Sequence, residues 1–145
     1  MNNFAIAIHG GAGTLVKGLM TEALESQYKK TLKTALETGY RALEQGGSAL
    51  DVAEMAVKSL EDSPLFNAGK GAVFTAEGTH EMDASIMDGR TLNAGAVSLV
   101  TGIKNPVALA RDVMEKSNHV FLAGEGALQF AKTNGYEIES PEYFY

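Results

Sequence analysis

The feature that most constrains this chain is a change of hydrophobic period around residues 64–74. Before it, apolar residues recur every three or four positions; after it they tend to alternate. Helices and strands place side chains with periods of 3.6 and 2, so a helical half leads into a half containing strands. The joint reads Pro64-Leu65-Phe66-Asn67-Ala68-Gly69-Lys70-Gly71-Ala72-Val73-Phe74. Its glycines permit a tight backbone, which brings the neutral amide of Asn67 close to whatever lies opposite. A plain helix-to-strand turn accounts for the same residues, and local sequence leaves both readings open.

Upstream, Phe4-Ala5-Ile6-Ala7-Ile8 is a short apolar run of the kind that forms a strand buried on both faces, and it ends in His9-Gly10-Gly11-Ala12-Gly13-Thr14. From Thr21 to Glu44, Leu24, Tyr28, Leu32, Ala35, Leu36, Gly39 and Leu43 mark one long amphipathic helix, ended by Gly46-Gly47. Ser48 with Asp51 opens a second helix, with Ala49, Val52, Ala53, Ala56, Val57 and Leu60 on one face. It stops near Ser63-Pro64, because the residue before proline is pushed out of the helical region.

Downstream, strands are expected at residues 72–74, 81–87 and 94–100, with hairpin or turn signals at Glu77-Gly78-Thr79 and Asp88-Gly89. Asn105-Pro106 caps and begins a helix running to Lys116, with Val107, Ala110, Val113 and Met114 inward. A short strand at 119–123 and a helix from Gly124 to Lys132, closed by Asn134-Gly135, complete the pattern. Paired helices followed by a meander point to an α/β (α+β) domain whose sheet is mostly antiparallel, with helices on its outer face.

With 145 residues this is one domain or half of a larger one. A net charge of −6 without a basic block argues against nucleic acid and anionic membranes as partners. The absence of cysteine excludes a disulfide scaffold, cysteine-ligated zinc and a thiol nucleophile. With no basic leader before the first apolar run and no span long enough for a bilayer, a cytoplasmic location is expected.

The glycine loops fail the nucleotide fingerprints: the dinucleotide motif would need glycine at Val16, and a P-loop would need Ser or Thr at Gly71. His9, His80 and His119 are too scattered for a helical metal pair, and the stretch from His80 to Asp83 reads as a solvated strand edge. Asp83 and Asp88 fix no carboxylate separation and serve equally well as capping and turn residues. There is no Gly-x-Ser-x-Gly elbow. Residue chemistry alone yields no complete catalytic set.

Four separated motifs in order nonetheless resemble one family. They are Ile8-His9-Gly10-Gly11-Ala12-Gly13-Thr14, Leu65-Phe66-Asn67-Ala68-Gly69-x-Gly71, Met82-Asp83-Ala84-Ser85-Ile86-Met87-Asp88-Gly89 with Ala94-Gly95-Ala96-Val97, and Asn105-Pro106 with Val113-Met114-Glu115. Together they are similar to the α subunit of plant-type L-asparaginases and isoaspartyl peptidases. The resemblance implies an N-terminal-nucleophile (Ntn) hydrolase. In such enzymes one precursor cuts itself into α and β chains that stay together as a four-layered αββα sandwich, this chain being the α half. The β chain would begin with the nucleophilic threonine, whose Gly-Thr-Val/Ile-Gly-Ala-type surroundings are not among these residues.

That chemistry needs no histidine. A free N-terminal amine titrates at about 7.7–8.0, so near neutral pH it can accept the proton of its own threonine hydroxyl. The hydroxyl attacks the side-chain amide of asparagine or the β-linked carbonyl of an isoaspartyl dipeptide, donors stabilise the oxyanion, and water releases aspartate. The resemblance places Asn67 beside the nucleophile and assigns the loop of His9, Gly10 and Gly11 to the conformation required for self-cleavage. For His9, a buried, hydrogen-bonded structural role is an equal reading. It also implies a sodium ion held by the main-chain carbonyls of Leu60, Glu61, Ser63, Phe66, Ala68 and Lys70, no organic cofactor, and an (αβ)2 assembly.

Two other readings are open. Glycosylasparaginases share the architecture but are usually secreted or lysosomal with disulfides, which the absence of cysteine disfavours. A non-catalytic α-half acting as a binding module would lack a downstream threonine-led segment.

Overall fold

The computed structural model describes residues 3–11 and 20–144. The expected positions Ala12, Gly13, Thr14 and Tyr145 lie outside them. Two long helices come first. Helix α1 spans Glu22–Glu44, with the Thr21 hydroxyl accepting from the Leu24 N–H, and ends at Gln45 before Gly46, whose φ of 88° is easy only for glycine. Helix α2 spans Ala49–Glu61, and Ser48 both accepts the Asp51 N–H and donates to the Asp51 carboxylate. The two helices pack on each other, and residues 4–8 lie along them. Phe4 meets Tyr40 edge-on at 5.2 Å, and a Cβ on Gly39 would lie 2.5 Å from Ile6 Cδ1.

Strands β1 (Met82–Met87) and β2 (Ala94–Val100) pair antiparallel, from Met82 opposite Val100 to Met87 opposite Ala94. Strand β3 (Phe121–Ala123) runs parallel to β2 on its other side, giving the order β1-β2-β3. The sheet is therefore small and mixed. Helix α3 (Pro106–Lys116) and helix α4 (Gly124–Thr133) cover one face. Val97, Val100, Ile103, Val107, Leu109 and Val113 are fully buried in this core, each contributing about 1.5–3 kcal/mol of apolar burial. Arg111 ties α3 to α2 through Asp51 and Glu54, both at 2.7 Å.

Several expectations need correction. Residues 4–8 are extended but join no sheet among the described residues; Phe4, Ile6 and Ile8 are half-buried while Ala5 and Ala7 are exposed. A strand needs a ladder partner, and the described chain offers none to it. Residues 72–74 also form no strand, because the Val73 N–H is taken by the Asn67 side chain and the Ala72 carbonyl by His80. The expected hairpin at 77–79 is a turn in which Thr75 and Thr79 bond each other.

Not every helix covers the sheet: α1 packs chiefly on α2. On α2, Val52 and Ala56 are buried, but Ala53 and Val57 are exposed toward the groove beside residues 5–9. The sheet face away from α3 and α4 presents Asp83, Ser85, Met87, Ser98 and Phe121, with Met87 and Phe121 more than half exposed.

His80 is not a solvated edge residue. It is buried, its Nδ1 lies 2.8 Å from the Ala72 carbonyl, and its ring sits between Phe74 and Phe144. Asp83 closes a β-bulge, accepting from Ser98 Oγ at 2.6 Å and Leu99 N at 2.9 Å, so that Leu99 adopts a left-handed φ of 54°. Asp88 does shape the expected turn, accepting from the Arg90 and Leu92 N–H groups.

Candidate functional site

The 62–71 loop leaves α2 and curls back on it. Gly69, with φ 51°, presses against the Glu61 backbone, and Gly71 presses against the carbonyls of Phe66 and Pro64; a Cβ at either position would overlap those atoms. This curl lifts Asn67 onto the surface while burying Phe66 beneath it. Asn67 Oδ1 accepts the Val73 N–H at 3.0 Å, which closes the loop and leaves the amide NH2 as donor.

The structure brings Asn67 together with His9, Gly10 and Gly11. All four line one cleft of about 560 Å³, with Tyr28 and Val73 also in its wall. That volume suits a small ligand or the end of a polypeptide strand. His9 is exposed, not buried, and its Nδ1 accepts the Gly11 N–H at 3.2 Å. Through that hydrogen bond the imidazole folds its own glycine loop, and its ring faces the cleft.

Reading the sequence missed Tyr28. Its place at helical spacing from Leu24 and Leu32 marks an inward aromatic, but nothing in that spacing says that the inward face ends at a cleft. The ring lies edge-on to Phe66, centroids 5.5 Å apart.

The six carbonyls expected to hold sodium lie in or beside the same curl. Leu60 O accepts from Ser63 N at 3.1 Å, Phe66 O from Ala68 N at 2.8 Å and Ala68 O from Gly71 N at 3.1 Å. Each carbonyl oxygen keeps a second lone pair, and glycine at 69 and 71 lets the turn tighten around Glu61 and Phe66. A hard cation coordinated by backbone oxygen is compatible with that curl. The Lys70 ammonium is directed elsewhere, 5.5 Å over the Tyr143 ring. Among the described residues no group of three or more His, Asp or Glu could hold a metal by side chains.

Beneath this loop Glu61 is 3% exposed, and its carboxylate accepts the Val107 N–H at 3.0 Å, capping α3 in place of Asn105. Burial pushes Glu61 up to about 7 against the opposing pull of that hydrogen bond. Asn105 stands at the expected cap position but donates to Asp62 at 3.1 Å.

A family model described as asparaginase matches residues 2–145. The isoaspartyl peptidase of Escherichia coli (strain K12) is 54% identical over 144 residues, covering 99% of this chain and 45% of that protein. The plant-type L-asparaginase of Pyrococcus furiosus is 52% identical over 139 residues, 96% of this chain and 42% of that protein. A probable isoaspartyl peptidase/L-asparaginase 2 of Arabidopsis thaliana is 49% identical over 144 residues, with coverages of 99% and 44%. The chain thus spans less than half the length of these curated relatives.

Proposed function

The chain belongs to the asparaginase family, and on that premise we propose that it is the α half of an isoaspartyl peptidase/L-asparaginase. The enzyme would release aspartate from L-asparagine and β-aspartyl dipeptides. The observation that carries the proposal is the cleft in which the Asn67 loop and the loop of His9, Gly10 and Gly11 converge, on a chain that spans less than half the length of the relatives it matches. The nucleophile is the N-terminal threonine of a β chain cut from the same precursor.

Asn67 holds the threonine hydroxyl, or the carbonyl before it during self-cleavage, through the NH2 that its bond to Val73 leaves available. The His9 side chain, by accepting the Gly11 N–H, preorganises the glycine loop beside the junction. The main-chain carbonyls of Leu60, Glu61, Ser63, Phe66, Ala68 and Lys70 would hold a sodium ion, which would supply a fixed charge tying the Asn67 loop and no bond-breaking chemistry.

The partner half completes an αββα sandwich in an (αβ)2 assembly. Three uncovered surfaces support this. They are the extended residues 4–8, which join no sheet among the described residues, the apolar flank of α2 at Ala53 and Val57, and the open sheet face with Met87 and Phe121. No helix among the described residues is long and apolar enough to cross a membrane, and a cytoplasmic enzyme is proposed from the cysteine-free composition.

The test is intact mass and N-terminal sequencing of the purified full-length protein, followed by aspartate release from L-asparagine and a β-aspartyl dipeptide. A second polypeptide beginning with threonine, and turnover of either substrate, is the expected result. An uncut, inactive protein overturns the proposal.

A further inference from the structure

The Asn67 loop reaches the glycine loop through the ring of Phe66. A Cβ on Gly10 would lie 3.0 Å from Phe66 Cε1 and 3.1 Å from Leu32 Cδ2, so the Phe66 ring and Leu32 both press on the bare Gly10 backbone. Phe66 is held from the other direction by Tyr28, whose ring meets it nearly perpendicular, at 87°. Tyr28 and Leu32 stand one turn apart on α1, so one helix meets the Phe66 ring through Tyr28 and the Gly10 backbone through Leu32.

The residue after Phe66 is Asn67, whose carbonyl oxygen is pinned by Val73. The position of the free Asn67 amide NH2 relative to Gly10 and Gly11 is thus set by where Phe66 sits. We propose that Tyr28 is a positioning residue, which acts through the Phe66 ring to hold the Asn67 amide in register with the glycine loop of His9, Gly10 and Gly11. The inference builds on the reading of Asn67 as a group that serves the nucleophile. It assigns the work to the edge-to-face ring contact, since an edge-to-face pair fixes ring orientation in a way that an aliphatic chain does not. The phenol hydroxyl takes no part.

The experiment uses the full-length protein as wild type, Tyr28→Phe, Tyr28→Ala, Asn67→Ala and the Tyr28→Ala/Asn67→Ala double variant. Steady-state kinetics on L-asparagine and a β-aspartyl dipeptide are combined with amide hydrogen exchange at Val73 and, as a global reference, at Val113 in α3. Tyr28→Ala is expected to lower kcat about tenfold with KM within about twofold, and Tyr28→Phe to stay within about twofold of wild type. In the Asn67→Ala background, adding Tyr28→Ala is expected to change kcat by less than about twofold, the non-additivity of residues acting as one unit.

Exchange at Val73 should quicken about tenfold in Tyr28→Ala while Val113 is unchanged. Equal losses in both backgrounds, or unchanged kcat and Val73 exchange in Tyr28→Ala, overturn the proposal. If wild type turns over neither substrate, the functional proposal fails, and Val73 exchange still decides whether Tyr28 holds the loop. Should Val113 exchange show that Tyr28→Ala unfolds, Tyr28→Leu, which keeps bulk without a ring edge, takes its place under the same criteria.

Discussion

The carboxylate of Glu61, on the last residue of α2, accepts the backbone N–H of Val107 in the first turn of α3 at 3.0 Å. One buried side chain therefore caps the helix that carries the core and lies under the loop that carries Asn67. Its second oxygen, Oε2, is buried with no hydrogen-bond partner among the described residues.

Glu61→Ala is accordingly expected to lower unfolding free energy by about 2–4 kcal/mol at pH 7. This combines a lost helix cap, worth about 1, with the cavity left by a buried side chain. Glu61→Gln keeps an acceptor for Val107 and removes the buried charge, so its loss should stay within about 1 kcal/mol. Urea unfolding of the full-length variants compares the two. Equal losses would mean that the charge, and not the acceptor, is what the site requires.

The Asp83 carboxylate is held below the ordinary carboxylate range by Ser98 Oγ and then by the Leu99 N–H, which favour its charged form. A depressed native pKa contributes stability above the unfolded value of about 3.9, and this contribution disappears as pH falls through the lower native value. Asp83→Asn should therefore be less stable than wild type at pH 7, and the gap should close on approach to pH 2. A gap that persists in strong acid would show that shape, not ionisation, sets the bulge. The measurement is paired unfolding curves across that range.

Strand β2 passes so close to α3 at Gly95 that an added Cβ would overlap the Ala110 carbonyl and crowd Met114. Both partners are backbone or core, so neither can give way cheaply. Gly95→Ala should cost about 2–4 kcal/mol through overpacking, whereas Gly89→Ala, which meets nothing within 4 Å, should stay within about 0.5 kcal/mol. Thermal unfolding of the two variants distinguishes a true close approach from a glycine that merely tolerates the turn.

The elements most legible in the sequence were those fixed by local signals. Thr21, Ser48, Pro106 and Gly135 mark helix ends where the structure has them, because caps and breakers act within a turn. The strands at 82–87 and 94–100 were visible as alternation for the same reason. Residues 4–8 and 72–74 have strand-like composition, but strand identity is a property of a pair, and the chain as described supplies no ladder to either. His80 was misread because its burial depends on Phe144, far along the chain. At the site, Asn67 and the glycine loop stood out as motifs, while Tyr28 was hidden. Its role follows from a contact with Phe66 that helical periodicity does not encode.

The two ends of the Asn67 amide do different things, and two substitutions separate them. Asn67→Asp keeps the oxygen that takes the Val73 N–H but replaces the donor NH2 with a second acceptor; Asn67→Ala removes both. If the amide NH2 serves the nucleophile or the developing oxyanion, both variants of the full-length protein should lose about 100-fold or more in kcat, the scale on which a single preorganised donor is felt. The loop should respond differently: Val73 exchange stays slow in Asn67→Asp and quickens in Asn67→Ala, because only the latter gives up the closing hydrogen bond. Full activity in Asn67→Asp would assign the residue to loop closure alone and move the search for the donor elsewhere. Loss of activity in both, with loop order kept in the aspartate variant, would place the chemistry on the NH2 itself.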